Sequence, residues 1–276
     1  MLPQEAMIEK VRQVCNEDDR LVAAMMYGSF AQGEGDRFSD IEFVLFFEDE
    51  LLPHIDQKEW VVQVAPVDMY FVNEFGVGTA IFENLIRGEF HFDVASDIEK
   101  IDESWRETDW LPSLESALIL DRTGQLTQRL ERVVGPPLHR DTPERAEALS
   151  HRFINWSLFG SNLVMRGELA RALEILGFVQ RPLLWMIRLS EETTAHWATP
   201  SKKLEADIPE GPYARYSSCT ANVDEAALWS AYLSAWAWGK ELMEALSERH
   251  GFRLPDALVN RIGSGLAGAE GTWHGR

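Results

Sequence analysis

Two apolar runs near the N-terminus constrain this chain more than any other feature. They are residues 21–27 (LVAAMMY) and 41–47 (IEFVLFF), and only a short polar excursion separates them. Short apolar runs bounded by turn residues read as buried strands, and the second is rich in β-forming side chains. The first run stops at Gly28 and Ser29; the second is entered through Ser39 and Asp40 and carries Glu42. Side chains at i and i+2 of a strand leave the same face. Asp40 and Glu42 are therefore side by side, while Ile41 and Phe43 turn the other way. Carboxylates this close repel unless a cation lies between them. Oxygen-only ligands of this kind suit Mg²⁺, which takes a few carboxylates, water and substrate phosphates.

Gly28 and Ser29 supply a complementary group. Glycine lets a backbone approach a phosphate closely, and the amides that follow, opening a helical turn, can donate to phosphate oxygens. The serine hydroxyl adds one more donor. Gly33 and Gly35 in the same loop form neither a Walker loop nor a dinucleotide fingerprint. A third element is residues 87–92, Arg-Gly-Glu-Phe-His-Phe. In strand geometry Glu89 and His91 face one way, and Phe90 and Phe92 fill the core. A carboxylate at position 89 is a candidate general base for a hydroxyl. Arg87 is a candidate phosphate or substrate contact because it borders Glu89, and Arg166 and Arg171 are weaker ones. His91 has three readings of similar weight: contact with substrate, orientation of Glu89, or a structural role. Gly-Ser alone is an ordinary turn and Asp-x-Glu alone an ordinary solvated strand face; the signal lies in their order on consecutive strands.

The surrounding pattern predicts an α+β protein. Residues 3–16 carry Met7, Ile8, Val11 and Val14 at helical spacing. Further strands are expected over 61–72, 79–86 and 89–92, while 116–121 fits helix or strand and the stretch to about 113 has no assignment. Gly135, Pro136 and Pro137 within 133–143 mark a domain break, giving a mixed-sheet domain over 1–135 and an all-helical domain over 136–276. Thr142 and Pro143 form a helix start, and helices are expected near 143–165, 168–196, 223–249 and 255–267. Pro182 should kink the second, and Gly251 should end the third at positive φ. Core packing is the default reading for Trp185, Trp229, Trp236 and Trp238; Trp236 and Trp238 cannot share one helix face, which leaves a second subunit or a ligand open as the alternative for one of them.

Composition narrows the function classes. A formal net charge of −19 repels a phosphate backbone, so a nucleic-acid substrate is not expected; the same charge either steers a cationic small substrate or serves solubility alone, two readings of equal weight. The two cysteines, Cys15 and Cys219, show no ligand spacing and point to a reducing, cytoplasmic compartment. No signal-peptide core and no run of about 18 apolar residues is present, so no membrane span is expected.

Gly-Ser followed by Asp-x-Asp/Glu is the signature of the polymerase β-like nucleotidyltransferase superfamily. The longer phrases MMYGSFAQGEGDRFSDIEF, IFENLIRGEFHF, DRTGQL and MRGELAR resemble lincosamide nucleotidyltransferases of the two-domain type, over the chain to about residue 250. The resemblance implies transfer of AMP from ATP, or of another nucleoside monophosphate, to a hydroxyl of lincomycin or clindamycin with release of pyrophosphate, and a role in antibiotic resistance. It implies that Asp40 and Glu42 bind metal and that Glu89 is the base; in-line displacement at the α-phosphorus independently calls for two Mg²⁺ ions, with Gly28 and Ser29 contacting the nucleotide. The resemblance also implies a helical bundle that helps to enclose the antibiotic, and a homodimer. The nearest rival is an aminoglycoside nucleotidyltransferase; a module that modifies a partner protein and a non-catalytic binder are others.

Overall fold

A computed structural model describes residues 1–269. The chain divides into two compact units, Met1–Leu138 and His139–Arg276. The first opens with helix α1 (Pro3–Glu17), where proline takes the first helical turn and the Glu5 carboxylate accepts the Leu2 N–H at 2.6 Å. The apolar spacing of Met7, Val11, Val14 and Cys15 becomes its buried face. Strand β1 (Leu21–Met26), the single turn α2 (Gly28–Ala31) and strand β2 (Ile41–Phe47) follow. Then come α3 (Gln57–Val61), β3 (Val67–Val72), β4 (Gly78–Phe82) and β5 (Arg87–Val94). Two 3₁₀ segments, Ala95–Lys100 and Glu103–Glu107, lead to α4 (Leu114–Ala117), β6 (Leu118–Asp121) and α5 (Gln125–Val133).

The six strands form one mixed sheet in the order β3-β4-β5-β2-β1-β6. All neighbours are antiparallel except β2 and β5, which run parallel. One sheet face is aromatic: Phe43 stacks on Phe90 at 5.5 Å, and Trp60 meets Phe90 and Phe92 edge-on. Each such pair adds about 0.5–1.5 kcal/mol beyond its buried area.

Several local expectations differ from this arrangement. The long strand over 61–72 is instead the end of α3, a turn, and β3. Asp56 caps α3 by accepting the Glu59 N–H at 3.0 Å, and the helix buries Trp60 and Val61; a cap and a core anchor outweigh β propensity there. The expected strand over 79–86 ends at Phe82, because the Asn84 side chain accepts the Ile86 N–H at 3.1 Å and closes a turn. Residues 116–121 are both options in succession: Ser113 caps α4 by accepting the Ser116 N–H, and the chain then extends into β6.

The second unit is helical: α6 (Pro143–Met165), α7 (Leu169–Ser190), α8 (Leu204–Asp207), α9 (Glu210–Ser217), α10 (Glu225–His250) and α11 (Asp256–Ala269). Thr142 accepts the Arg145 N–H at 3.3 Å, as a hydroxyl cap should. α10 ends at Gly251 with φ 73°. α7 continues through Pro182 without a break and stops at Ser190, not 196. The loop after it is tied down by Arg188, fully buried, whose guanidinium donates to the carbonyls of Thr193, Pro200 and Lys202 and to Asp207. Neither Trp236 nor Trp238 is left for a partner. Both are buried, because Phe153 in α6 stacks on Trp236 at 5.9 Å and Arg215 in α9 covers the Trp238 ring at 5.0 Å. Two opposite sides of α10 are thus packed within the unit itself. Among the described residues, no helix is long and apolar enough to cross a membrane.

Candidate metal and catalytic site

The parallel pairing of β2 with β5 builds the site. Its register sets Glu42 opposite Glu89, with Ile41 opposite Gly88 and Phe43 opposite Phe90. Residues paired across a ladder share a face, so the two carboxylates stand together while Phe43 and Phe90 are fully buried on the other side. Asp40, just ahead of β2, and Arg87, the first residue of β5, extend the same polar row. One oxygen each of Asp40, Glu42 and Glu89 fall within 4.8 Å of one another, and all three side chains are partly buried. Arg87 spans the row: Nη1 lies 2.6 Å from Asp40 Oδ2, and Nη2 contacts Glu89.

The electrostatics follow from packing these charges in a half-buried place. Burial pushes the Glu42 carboxyl up to about 8, Asp40, Asp109 and Glu89 add to the rise, and Arg87 opposes it. Tyr27 is raised for the same reasons, burial first and then Glu42. Burial first, and then the surplus of carboxylates over cations, disfavours the charged form of Glu42, and such a cluster is the donor set of a hard divalent ion. Three carboxylate oxygens in reach of one centre fit Mg²⁺, and Arg87 alone offsets only part of that charge.

The Gly28–Ser29 turn lies directly over Glu42. Gly28 has φ +71°, and a Cβ there would sit 1.5 Å from Glu42 Oε2. Both the left-handed backbone and the close approach demand glycine. The Ser29 hydroxyl is buried and makes no hydrogen bond, an orphan that asks for a ligand group. The Gly28 N–H donates to Asp109 Oδ2 at 3.0 Å, and Asp109 Oδ1 accepts from the Gln32 amide and from the Trp110 N–H. Asp109 was invisible in the sequence: it sits in the unassigned stretch after β5, and no local signal ties it to a turn so far upstream.

His91 shares the Glu89 face but takes another partner. Its Nε2 and the Tyr27 hydroxyl are hydrogen-bonded at 2.9 Å, and Trp105 packs edge-on against Tyr27. Burial holds the imidazole below its ordinary range, opposed by Asp93 and Glu89. Glu89 is instead contacted by Arg87 and by Asn73, whose amide donates to Oε1 at 3.4 Å. Asn73 is the second residue that sequence reasoning missed. Arg166 and Arg171 belong to the second unit, where both make exposed ion pairs with Glu168.

Comparison with known proteins bears on the second unit. Residues 142–264 match the model of the lincosamide nucleotidyltransferase-like C-terminal domain. No curated protein matches the chain. Among solved structures, it is similar to an aminoglycoside 6-adenyltransferase from Bacillus subtilis, with 16% identity, 97% of this chain and 98% of that one covered, and a TM-score of 0.45. A nucleotidyltransferase-like protein from Exiguobacterium sibiricum gives 12% identity, coverages of 95% and 89%, and 0.37. The Thermotoga maritima CCA-adding enzyme gives 14%, coverages of 95% and 72%, and 0.33. Likenesses this distant do not bear on function. The helical unit is thus similar to the C-terminal domain of lincosamide nucleotidyltransferase-like proteins, the type that the sequence phrases resemble.

Proposed function

We propose that this chain transfers AMP from ATP to a hydroxyl of a lincosamide such as lincomycin or clindamycin, releasing pyrophosphate and conferring resistance. The observation that carries this reading is the meeting of Asp40, Glu42 and Glu89 oxygens within 4.8 Å, beneath a glycine turn with an unpartnered serine hydroxyl. The family match of residues 142–264 supports the choice of acceptor. Magnesium ions held by Asp40 and Glu42 would neutralise the triphosphate and polarise its α-phosphate. The chain's own groups do the rest. The Ser29 hydroxyl donates to a phosphate oxygen, and the Gly28 amide joins it once Asp109 withdraws. Glu89, released from Arg87, accepts the acceptor's hydroxyl proton. The new O–P bond then forms at the α-phosphorus as the bond to pyrophosphate breaks in line. Freed from Asp40 and Glu89, the Arg87 guanidinium pairs with the phosphates. His91, fixed by Tyr27, borders the acceptor side of Glu89 and contacts substrate there. Free, buried Cys15 and Cys219 fit a reducing cytoplasm where ATP is available. A homodimer follows from the family resemblance and is checked by sedimentation.

The test is an incubation of the protein with Mg²⁺, each nucleoside triphosphate, and clindamycin, lincomycin or kanamycin, read by mass spectrometry. Adenylylated clindamycin and lincomycin with unchanged kanamycin are expected. Modified kanamycin alone would move the acceptor to the aminoglycosides. A labelled protein band without labelled drug would move it to a partner protein.

A further inference from the structure

The acidic row does not end at Glu89. In the ladder, Glu89 pairs with Thr79 and Thr79 with Phe71, while Arg87 pairs with Ile81 and Ile81 with Met69. Met69, Phe71 and Ile81 therefore leave the sheet on the same face as the carboxylates. The Asn73 contacts agree, since its amide reaches both Thr79 Oγ1 at 3.3 Å and Glu89 Oε1. On the opposite face Tyr70 is packed and bonded to Gln57 at 2.7 Å. β3 is one of the two edge strands of the sheet, and Met69 is 50% and Phe71 43% exposed. Large apolar side chains left uncovered on an edge strand are an aggregation liability unless something binds them.

We propose that Met69 and Phe71, with Ile81 beside them, are the shelf on which the acceptor lays its apolar body while its hydroxyl reaches Glu89. This rests on the transfer reading above and adds to it the residues that select the acceptor. The geometry sets the size of the occupant. Neighbouring strands lie about 4.8 Å apart, so Phe71 on β3 stands roughly 10 Å from Glu89 on β5, the length of a drug-sized molecule. Charge sets its sign: Arg87, paired with Ile81, is turned onto Asp40 and Glu89, magnesium would take up Asp40 and Glu42, and Glu89 at one end with exposed Glu74 beyond the other leaves the shelf bordered by negative charge. The occupant is a small amphipathic amine with one apolar side and a nearby hydroxyl. A polyhydroxylated polyamine is a poor fit, because its polar groups lose water against Met69 and Phe71 without gaining partners.

The experiment uses the full chain and clindamycin as the probe. Phe71→Thr and Met69→Thr keep β propensity while removing the apolar surface, and Phe71→Tyr restores the ring. Loss of a buried anchor should raise both the clindamycin KM and its calorimetric Kd about ten-fold, with kcat and the ATP KM within about two-fold of wild type. Phe71→Tyr should return the wild-type Kd. An unchanged clindamycin Kd in both threonine variants, or no clindamycin binding by the wild type, overturns the shelf. Wild-type protein that binds clindamycin in a Phe71-dependent way but transfers no nucleotide would remove the transfer reading and leave the shelf standing.

Discussion

Replacing Glu42 by glutamine should stabilise the metal-free protein at pH 8 and have little effect at pH 4. Burial and the facing carboxylates hold the Glu42 proton until about pH 8, against 4.5 for the ordinary group. Below pH 4.5 both folded and unfolded chains carry that proton, and nothing is lost. Between 4.5 and 8 the unfolded chain releases it while the folded chain keeps it, so stability falls as pH rises through this window. The difference, 8 minus 4.5, is 3.5 pH units; at about 1.36 kcal/mol per unit the ceiling is about 5 kcal/mol. Residual solvent contact and relaxation reduce this to roughly 2–3 kcal/mol. Glutamine has the same shape and no charge to suppress, so the variant should melt about 5–10 °C higher at pH 8. Magnesium should close most of this gap. Wild-type protein gains about 2.7 kcal/mol at a hundred times the metal Kd, whereas the variant should respond weakly. Differential scanning calorimetry at both pH values, with and without Mg²⁺, reads all four states. An equal melting difference at pH 4 and pH 8, or a glutamine variant less stable at pH 8, would refute the charge argument.

Other perturbations probe separate parts of the reasoning. Glu89→Gln should slow single-turnover transfer by ~10²–10⁴-fold, the usual contribution of a positioned base, while Mg-ATP still binds by calorimetry; near-normal turnover removes Glu89 from that role. Gly28→Ala forces a Cβ to within 1.5 Å of Glu42 Oε2 at φ +71°, and should cost roughly 2–3 kcal/mol in urea unfolding and abolish the Mg²⁺ response. In the helical unit, Gly239→Ala would drive a Cβ to 2.1 Å from the Phe153 ring; a loss of about 1–3 kcal/mol is expected, with the Glu42 effects untouched. Arg188→Met should destabilise by about 3–5 kcal/mol, because it strips partners from three carbonyls and from Asp207.

Some features of the fold and the site were written locally. The i, i+2 rule alone set Asp40 and Glu42 side by side and separated Glu89 from Phe90, since a strand's period is two wherever the strand lies. Thr142 and Gly251 marked helix ends for equally local reasons, a hydroxyl acceptor and a residue free to take positive φ. Where two local signals competed, as at Asp56–Val61, a cap and a buried tryptophan decided, and residue propensity misled.

By itself, then, the chain determined which side chains share a face of one strand and where its backbone turns. It could not determine which strands become neighbours. β5 passes over β3 and β4 in sequence to lie parallel to β2, and only that pairing places Glu89 against Glu42. The same tertiary choice brings Asp109 to the Gly28 amide, Asn73 to Glu89, and the exposed Met69 and Phe71 onto the carboxylate face. The physical reason is that periodicity acts over a few residues, whereas strand order is settled by which whole sheet buries its aromatic face and satisfies its backbone at once.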